Sequence, residues 1–240
     1  MKKTIAVAMI GLTVGLGFAT DSKAEERSWE WSPIGLGIAA PIQLPYTETD
    51  VLGFRFGGFF GWNQDVYGLD VGVTELCMGS VIGLQAAAFT WTEEDAIGLQ
   101  YGALANVVDG KMRGLQIGTV NVDWGDTAGI QIGTVNYDVA FRGIQIGGAV
   151  NWNTSAAYGL EIGVANANQD EFIGCALGCV NYSESFTGFE CGVVNVSYEA
   201  TGCQLGLVNA CDRMHGVQIG LINLICESKL PAMIIANASF

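Results

Sequence analysis

The sequence GLQIGTVN at residues 114–121 returns as GIQIGTVN at residues 129–136, and most of the chain after residue 53 is a variation on this unit. Its first glycine recurs at positions 53, 68, 83, 98, 114, 129, 143, 159, 174, 188, 202 and 216, at intervals of 14 to 16 residues. A unit this short is one structural element rather than a domain. Self-similarity at a fixed short period is the mark of a repeat architecture.

Asparagine is the most regular residue of the unit, at intervals of 15 residues in the first run and 14 in the second. This regularity predicts a structural ladder in which each amide stacks on that of the next unit. Asn237 indicates that residues 230–240 form a last, degenerate repeat, with Leu230 and Ile234 in place of the two glycines. The predicted ladder comprises Asn106, Asn121, Asn136, Asn151, Asn166, Asn181, Asn195, Asn209, Asn223 and Asn237.

Within the unit, apolar residues flank a glutamine, as in Leu115, Gln116 and Ile117. Such alternation is typical of a short strand with the apolar side chains on one face and glutamine on the other. We expect the apolar face to be buried and the glutamines to form an exposed column. An apolar residue before each Asn, such as Val120, breaks the alternation and predicts a corner.

A strand, a corner and a second short contact suit one coil of a β-solenoid, in which glycine supplies the corner conformations. The sequence therefore predicts an all-β, single-domain solenoid of about twelve coils, roughly 60 Å long at about 4.8 Å per coil. The alternative is a closed up-and-down β-barrel, in the form of a small outer-membrane barrel or pore. The apolar runs argue against it, since they cover about 16 Å when tilted at 45°, against the roughly 25 Å that a membrane barrel needs.

The ends of the chain lack the repeat. Residues 1–24 have the features of a secretory signal peptide, with two lysines, an apolar stretch and a small-x-small site before residue 25. Three of the four prolines fall in residues 25–52, a predicted N-terminal cap. Residues 53–229 form the repeat array, and residues 230–240, with the fourth proline, a C-terminal cap.

The proline-bearing opening SPIGLGIAAPIQLPYTETDVLGFRFG, the tandem GLQIGxVN units and the short close after a proline resemble the leptospiral-type surface repeat family of exported bacterial proteins. The resemblance covers essentially the whole chain after the signal. It implies a location in the periplasm, outer membrane or cell surface of a bacterium and brings no established activity.

The residues that could act in catalysis or bind a metal do not form a recognisable catalytic or metal-binding motif. His215 is the only histidine and has no nucleophile in its sequence context. Cys175, Cys191 and Cys203 replace apolar strand residues and are expected to be buried. Cys211 and Cys226 occupy nearly the same place in consecutive units and are the one plausible disulfide. No cofactor, metal site or enzymatic activity is expected.

The net charge of the chain limits the kinds of partner that it can bind. The net charge of −14, which loss of the signal would make more negative, disfavours nucleic acid. Acidic pairs such as Asp123 with Asp126 are expected to be solvated loops rather than calcium sites. The glutamine column, with nearby aromatics such as Trp152 and Tyr182, is either a self-satisfied ladder or a binding face for a glycan or protein of the envelope. We expect an exported, non-enzymatic surface protein with a structural or adhesive role, associated with a membrane only if the barrel alternative holds.

Overall fold

A computed structural model describes residues 31–39, 42–44 and 49–240 of the chain. The signal peptide predicted at residues 1–24 lies outside the described residues, as does part of the predicted N-terminal cap. The described chain is organised as one continuous sheet of twelve strands. The strands are β1 (Trp31–Ala39), β2 (Ile42–Leu44), β3 (Asp50–Asn63), β4 (Val66–Val71), β5 (Thr74–Cys77), β6 (Val81–Thr92), β7 (Ala96–Val108), β8 (Met112–Asn153), β9 (Ala157–Cys191), β10 (Val194–Leu205), β11 (Val208–Ile225) and β12 (Ala232–Ser239).

Successive repeats stack as parallel coils in register. Gly98 pairs with Gly114, and Asn106 with Asn121, so the same position of each unit lies above that of the preceding one. Strands β8 and β9 run through several coils without interruption, since the chain bends at the corners while its backbone keeps pairing. The predicted β-solenoid is confirmed. The barrel alternative is wrong, because an up-and-down barrel requires antiparallel neighbours.

The first glycine of each unit is imposed by close backbone contact. Gly129 has a φ of +146°, and a Cβ on it would lie 1.9 Å from the carbonyl oxygen of Gly114, the equivalent residue one coil below. Every first glycine from 53 to 216 has a similar positive φ. No L-residue fits such a position without moving the backbone, so this column sets the period of the array.

The two faces of each strand are inverted relative to the expectation from sequence. Gln116 and Gln131 are fully buried, whereas Leu115 and Ile117 are partly exposed and Ile130 is 40% exposed. The interior of the coil is therefore largely polar, and the apolar residues that flank each glutamine face outward. The expectation of a buried Leu/Ile face and an exposed Gln column is wrong, because alternation assigns residues to two faces without saying which one is enclosed.

One apolar column does lie inside, two residues before the first glycine of every unit except that of Gly129, where Thr127 takes the place. It includes Val51, Val66, Val81, Met112 and Phe141. Phe172 and Phe186 in adjacent coils stack with their ring centroids 6.2 Å apart. This column is the hydrophobic part of the core, and it runs beside the polar columns along the axis.

At both ends of the sheet the last strand reverses direction. β2 pairs antiparallel with β1, and β12 pairs antiparallel with β11. As a result Asn237 lies opposite Gln218 rather than Asn223, and its amide donates to the carbonyl of Leu230 at 3.2 Å. Asn237 therefore does not extend the asparagine ladder, and residues 230–240 are not a further coil.

The glycine contacts give a matched pair of substitutions. Gly129→Ala should cost at least about 3 kcal/mol of unfolding free energy, because it combines a disfavoured φ with a backbone clash. Gly148→Ala, where the nearest atom to a new Cβ is 3.6 Å away, should change stability by no more than about 0.5 kcal/mol. Equilibrium denaturation in urea measures both, and equal losses in the two variants would contradict the close-packed coil.

Candidate functional site: the polar core and the apolar wall

The asparagines from Asn106 to Asn223 form a continuous ladder inside the solenoid. Asn121 illustrates the pattern, since its Nδ2 donates both to Oδ1 of Asn136 at 2.8 Å and to the carbonyl of Ile132 at 3.0 Å. Its own Oδ1 accepts from Asn106 at 2.8 Å. Because the backbone contact fixes which end of each amide is the donor, every ladder amide points the same way along the axis.

From Gly102 onward, the second glycine of each unit makes room for this ladder. A Cβ on Gly118 would lie 2.6 Å from Nδ2 of Asn106 and 2.8 Å from Oδ1 of Asn121. The spacing G-x-x-x-G-x-x-N is thus one steric unit, in which glycine and asparagine depend on each other. In the coils that lack the asparagine, Gly61, Glu75 and Thr90 occupy the same column.

The buried glutamines form a second ladder. Nε2 of Gln131 donates to Oε1 of Gln116 at 2.8 Å, and Nε2 of Gln116 donates to Oε1 of Gln100 at 2.9 Å. These bonds point towards the N-terminus, opposite to those of the asparagines. The glutamines are therefore a self-satisfied structural column, and they are not available as a binding face.

Buried carboxyl groups lie between the two ladders, and sequence reasoning missed them. Asp123 and Asp138 are fully buried, and Asp123 accepts from Gln116 at 2.9 Å and from Thr127 at 2.9 Å. Burial raises the pKa of Asp123 to about 6, and burial with the neighbouring charge of Asp123 raises the pKa of Asp138 well above its usual value. The assignment of Asp123 to a solvated loop is wrong. Each of these residues follows a ladder asparagine by two positions, so strand parity turns it inward.

Glu161 and Glu190 stand in the glutamine column as fully buried carboxyls. Burial raises the pKa of each to about 7. At the N-terminal end of the same column, Arg55 pairs with Asp70 at 3.1 Å and with Glu75 at 2.7 Å. Burial, and then the charge of Asp70, raises the pKa of Glu75 to about 8. Burial and the contacts between these side chains thus set the position and the pKa of the ionisable groups in the interior.

The outward side chains between the first glycine and the asparagine of each unit form what we call the apolar wall. It bends at the corner after the second glycine, and none of its members is charged. Its first column is Phe54, Leu69, Leu84, Leu99, Leu115, Ile130, Ile144, Leu160, Cys175, Phe189, Cys203 and Val217. Its second column is Phe56, Val71, Ala86, Tyr101, Ile117, Ile132, Ile146, Ile162, Leu177, Cys191, Leu205 and Ile219. Beyond the corner follow residues such as Val164, Val180, Val193, Leu207, Leu221 and Ile222.

The described outward charges lie on the opposite side, which we call the acidic edge. It comprises the loops that join each repeat unit to the next, and each loop ends at the residue before the first glycine of the following unit. Its carboxylates are Asp50, Asp65, Glu93, Glu94, Asp95, Asp109, Asp126, Asp170, Glu171, Glu184, Glu199, Asp212 and Glu227, and its cations are Lys111, Arg113, Arg142, Arg213 and Lys229. The exterior is therefore divided lengthwise into a charge-free side and a net acidic side.

Aromatic residues with a polar group mark both borders between the wall and the edge. On one border Tyr137 lies between Trp124 and Trp152, with ring centroids 5.2 and 6.3 Å away. On the other, Tyr67 and Tyr158 direct their hydroxyl groups to edge carboxylates, with 3.2 Å to Asp65 and 3.1 Å to Glu171. Their rings cover the rim of the wall while their polar atoms reach the charged side.

The cysteines are free and separated by strand parity. Cys211 is buried, whereas Cys226 is exposed, so the two side chains leave the sheet on opposite faces. The disulfide predicted between Cys211 and Cys226 is therefore absent. Cys175, Cys191 and Cys203 are members of the wall and only partly buried, so the expectation that they fill the interior is also wrong.

His215 is exposed, with Phe240 as its ring neighbour at 6.1 Å. Across residues 31–39, 42–44 and 49–240, no group of three His, Cys, Asp or Glu side chains could hold a metal ion. Two small cavities, one of them lined by Gly35 and Arg55, each have a volume of about 10 Å³, about enough for one water. No helix in the same residues is long and apolar enough to cross a membrane.

The fold defines the protein as a parallel β-solenoid with a polar, amide-laddered interior. No protein-family model, curated protein or solved structure matches the chain.

The buried carboxyls make stability depend on pH in an unusual direction. Because the pKa of Glu190 is raised to about 7 in the folded chain, this group binds more protons when folded than when unfolded. Its contribution is therefore fully present at low pH and is lost as the pH rises from about 4.3, the ordinary pKa of glutamate, to about 7.

Glu190→Gln isolates this contribution. The hydroxyl groups of Ser183 and Ser197, which donate to Glu190, can rotate to accept from a new amide, so the variant keeps its hydrogen bonds. Relative to the unchanged chain it should gain on the order of 2 kcal/mol more stability near pH 8 than near pH 5. Urea denaturation at the two pH values gives this difference, and Glu184→Gln at the exposed edge is the control. An identical pH dependence in Glu190→Gln and the unchanged chain would contradict the buried charge.

Proposed function

We propose that the chain is an exported, non-enzymatic repeat protein of the bacterial envelope that acts as a structural or binding surface through its apolar wall. The observation that carries the proposal is the wall itself, a charge-free exterior that runs the length of the array. Soluble monomers rarely expose continuous apolar patches above a few hundred Å², and larger ones mark interaction sites.

The interior supports a surface-based role. Most of its amides and carboxyls are engaged with each other, as Gln131 is with Gln116 at 2.8 Å and with Asp123 at 3.0 Å. The cavities named above are too small for a substrate. A long, regular exterior is what such an array offers to a partner, as in other solenoids.

The location in the envelope rests on the sequence. The predicted signal peptide at residues 1–24 and the resemblance to an exported surface family both support it. A net acidic edge suits a chain that meets water on that side and keeps it soluble during export.

Export is tested by expressing the full chain, with its own first 24 residues, in a bacterium that has an outer membrane. The mature chain should begin at Glu25 and be recovered outside the cytoplasm, as shown by mass spectrometry of cell fractions. A version that lacks residues 2–24 is the control and should stay in the cytoplasm. Recovery of the uncleaved full chain from the cytoplasm would contradict the proposal.

Binding through the wall is tested with purified mature protein and isolated bacterial envelopes. Ile130→Glu with Ile162→Glu places two charges on the wall at residues 40% and 36% exposed. Gln169→Glu with Lys229→Gln makes the same change of net charge on the acidic edge. Sedimentation with envelopes should fall at least about tenfold in the wall variant and stay unchanged in the edge variant, since one buried charge opposes apolar association by well over 1.4 kcal/mol. Equal sedimentation of the two variants would contradict a role for the wall.

A further inference from the structure

We propose that the apolar wall lies on the surface of a neutral phospholipid bilayer, with the acidic edge in water. This inference rests on the proposed function and names the partner of the same surface.

The wall is a large, bent surface. Twelve coils at about 4.8 Å give a length of roughly 60 Å, and about eight residues at 3.3 Å around the two faces give a width of about 25 Å, or roughly 1,500 Å². This area exceeds the roughly 800 Å² per partner of a standard interface and lies within the range of obligate homodimers, so the shape of the wall, rather than its area, distinguishes a membrane from a second copy. Because the wall bends at the corner after the second glycine, a rigid copy docked on one face would leave the other face in water. A fluid acyl layer covers both.

The distribution of charge fits partial insertion. The wall has no charged member from Phe54 to Ile222, whereas carboxylates such as Asp126 and Glu184 all leave from the opposite side. An element buried about 5–10 Å into the headgroup and acyl boundary keeps its charged side in water. The excess of carboxylates on that side opposes binding to anionic lipid, which selects a neutral bilayer.

The borders have the composition of an interfacial belt. Trp and Tyr are enriched where membrane proteins pass from acyl chains to water, because their rings are apolar and their polar atoms need a partner. Trp152 is 43% exposed and Tyr182 46% exposed on one border. On the other border Arg142 lies 5.4 Å from the ring centroid of Tyr158, a position from which its guanidinium can reach headgroups while its stem covers the wall.

Flotation with vesicles of pure phosphatidylcholine tests the proposal on the folded mature protein. The unchanged chain and Gln169→Glu/Lys229→Gln should float with the vesicles, and the tryptophan emission should shift to shorter wavelength. Ile130→Glu/Ile162→Glu should lower the partition coefficient at least about tenfold. Ile130→Leu/Ile162→Leu, which keeps the wall apolar, should float as the unchanged chain does, and an unchanged far-UV circular dichroism spectrum of the glutamate variant separates loss of apolar surface from loss of fold. Vesicles with anionic lipid should bind less protein at low salt and recover at high salt.

Three results would overturn the inference. The first is a mature protein that stays at the bottom of the gradient with phosphatidylcholine vesicles. The second is a lipid-free dimer that the wall variant converts to monomer, since the wall would then be covered by a second copy. The third is equal flotation of the wall and edge variants. Binding to isolated envelopes without binding to vesicles would overturn the lipid partner and leave the proposed function standing.

Discussion

The close stacking of one coil on the next is the constraint on which the rest of the structure depends. At the first glycine the backbones approach so closely that a Cβ on Gly114 would lie 2.1 Å from the carbonyl oxygen of Gly98. At the asparagine the amides of successive coils join through bonds of 2.7–2.9 Å. A coil that slipped by one residue would break both contacts at once, so register, period and direction are all fixed by this pair of columns.

Polar stacking explains how a solenoid can keep apolar residues outside. An amide buried without partners would destabilise the fold, but Asn121 has both its hydrogens and its oxygen satisfied within the column. The same amides repeated along the axis form a network in which each coil completes its neighbours. The core therefore does not need the Leu and Ile residues of the repeat, and these are left for the exterior. The free apolar surface is thus a consequence of the packing and also the feature that could give the protein its role.

Much of the architecture follows from the sequence, and the reason lies in the glycine and asparagine columns. A parallel array makes equivalent residues adjacent, so an exact spacing of Asn121 and Asn136 predicts parallel coils, and the structure has them. Alternation alone does not predict which face of each strand is buried, since Gln116 and Ile117 alternate in the same way whichever of them points inward. The usual rule that apolar residues are enclosed fails when an amide ladder supplies the interior. The second glycine of the unit is the sequence feature that indicates which face is buried. A side chain at Gly118 would clash with the inward amides of Asn106 and Asn121, so glycine is required there only if those amides point inward.

The errors at particular residues have two physical origins, strand parity and strand direction. Asp123 and Cys211 share the parity of the ladder asparagine two positions earlier, and both are buried. Asn237 keeps the sequence interval of the ladder, but β12 runs antiparallel to β11, and sequence intervals carry no information on strand direction. The apolar wall could be recognised only once it was known which strand face points outward, because its residues are those that a hydrophobic core would ordinarily contain.

The native cysteines allow the inverted facing to be tested without substitution. The folded protein is treated with iodoacetamide under mild conditions, and the modified sites are mapped by mass spectrometry before and after denaturation in urea. The inverted solenoid predicts that Cys175, Cys179, Cys191, Cys203 and Cys226 are alkylated in the folded state. Cys77 and Cys211, which are 1% and 3% exposed, should react only after unfolding. Protection of Cys175, Cys191 and Cys203 in the folded protein would contradict the account, because it would place the apolar columns inside.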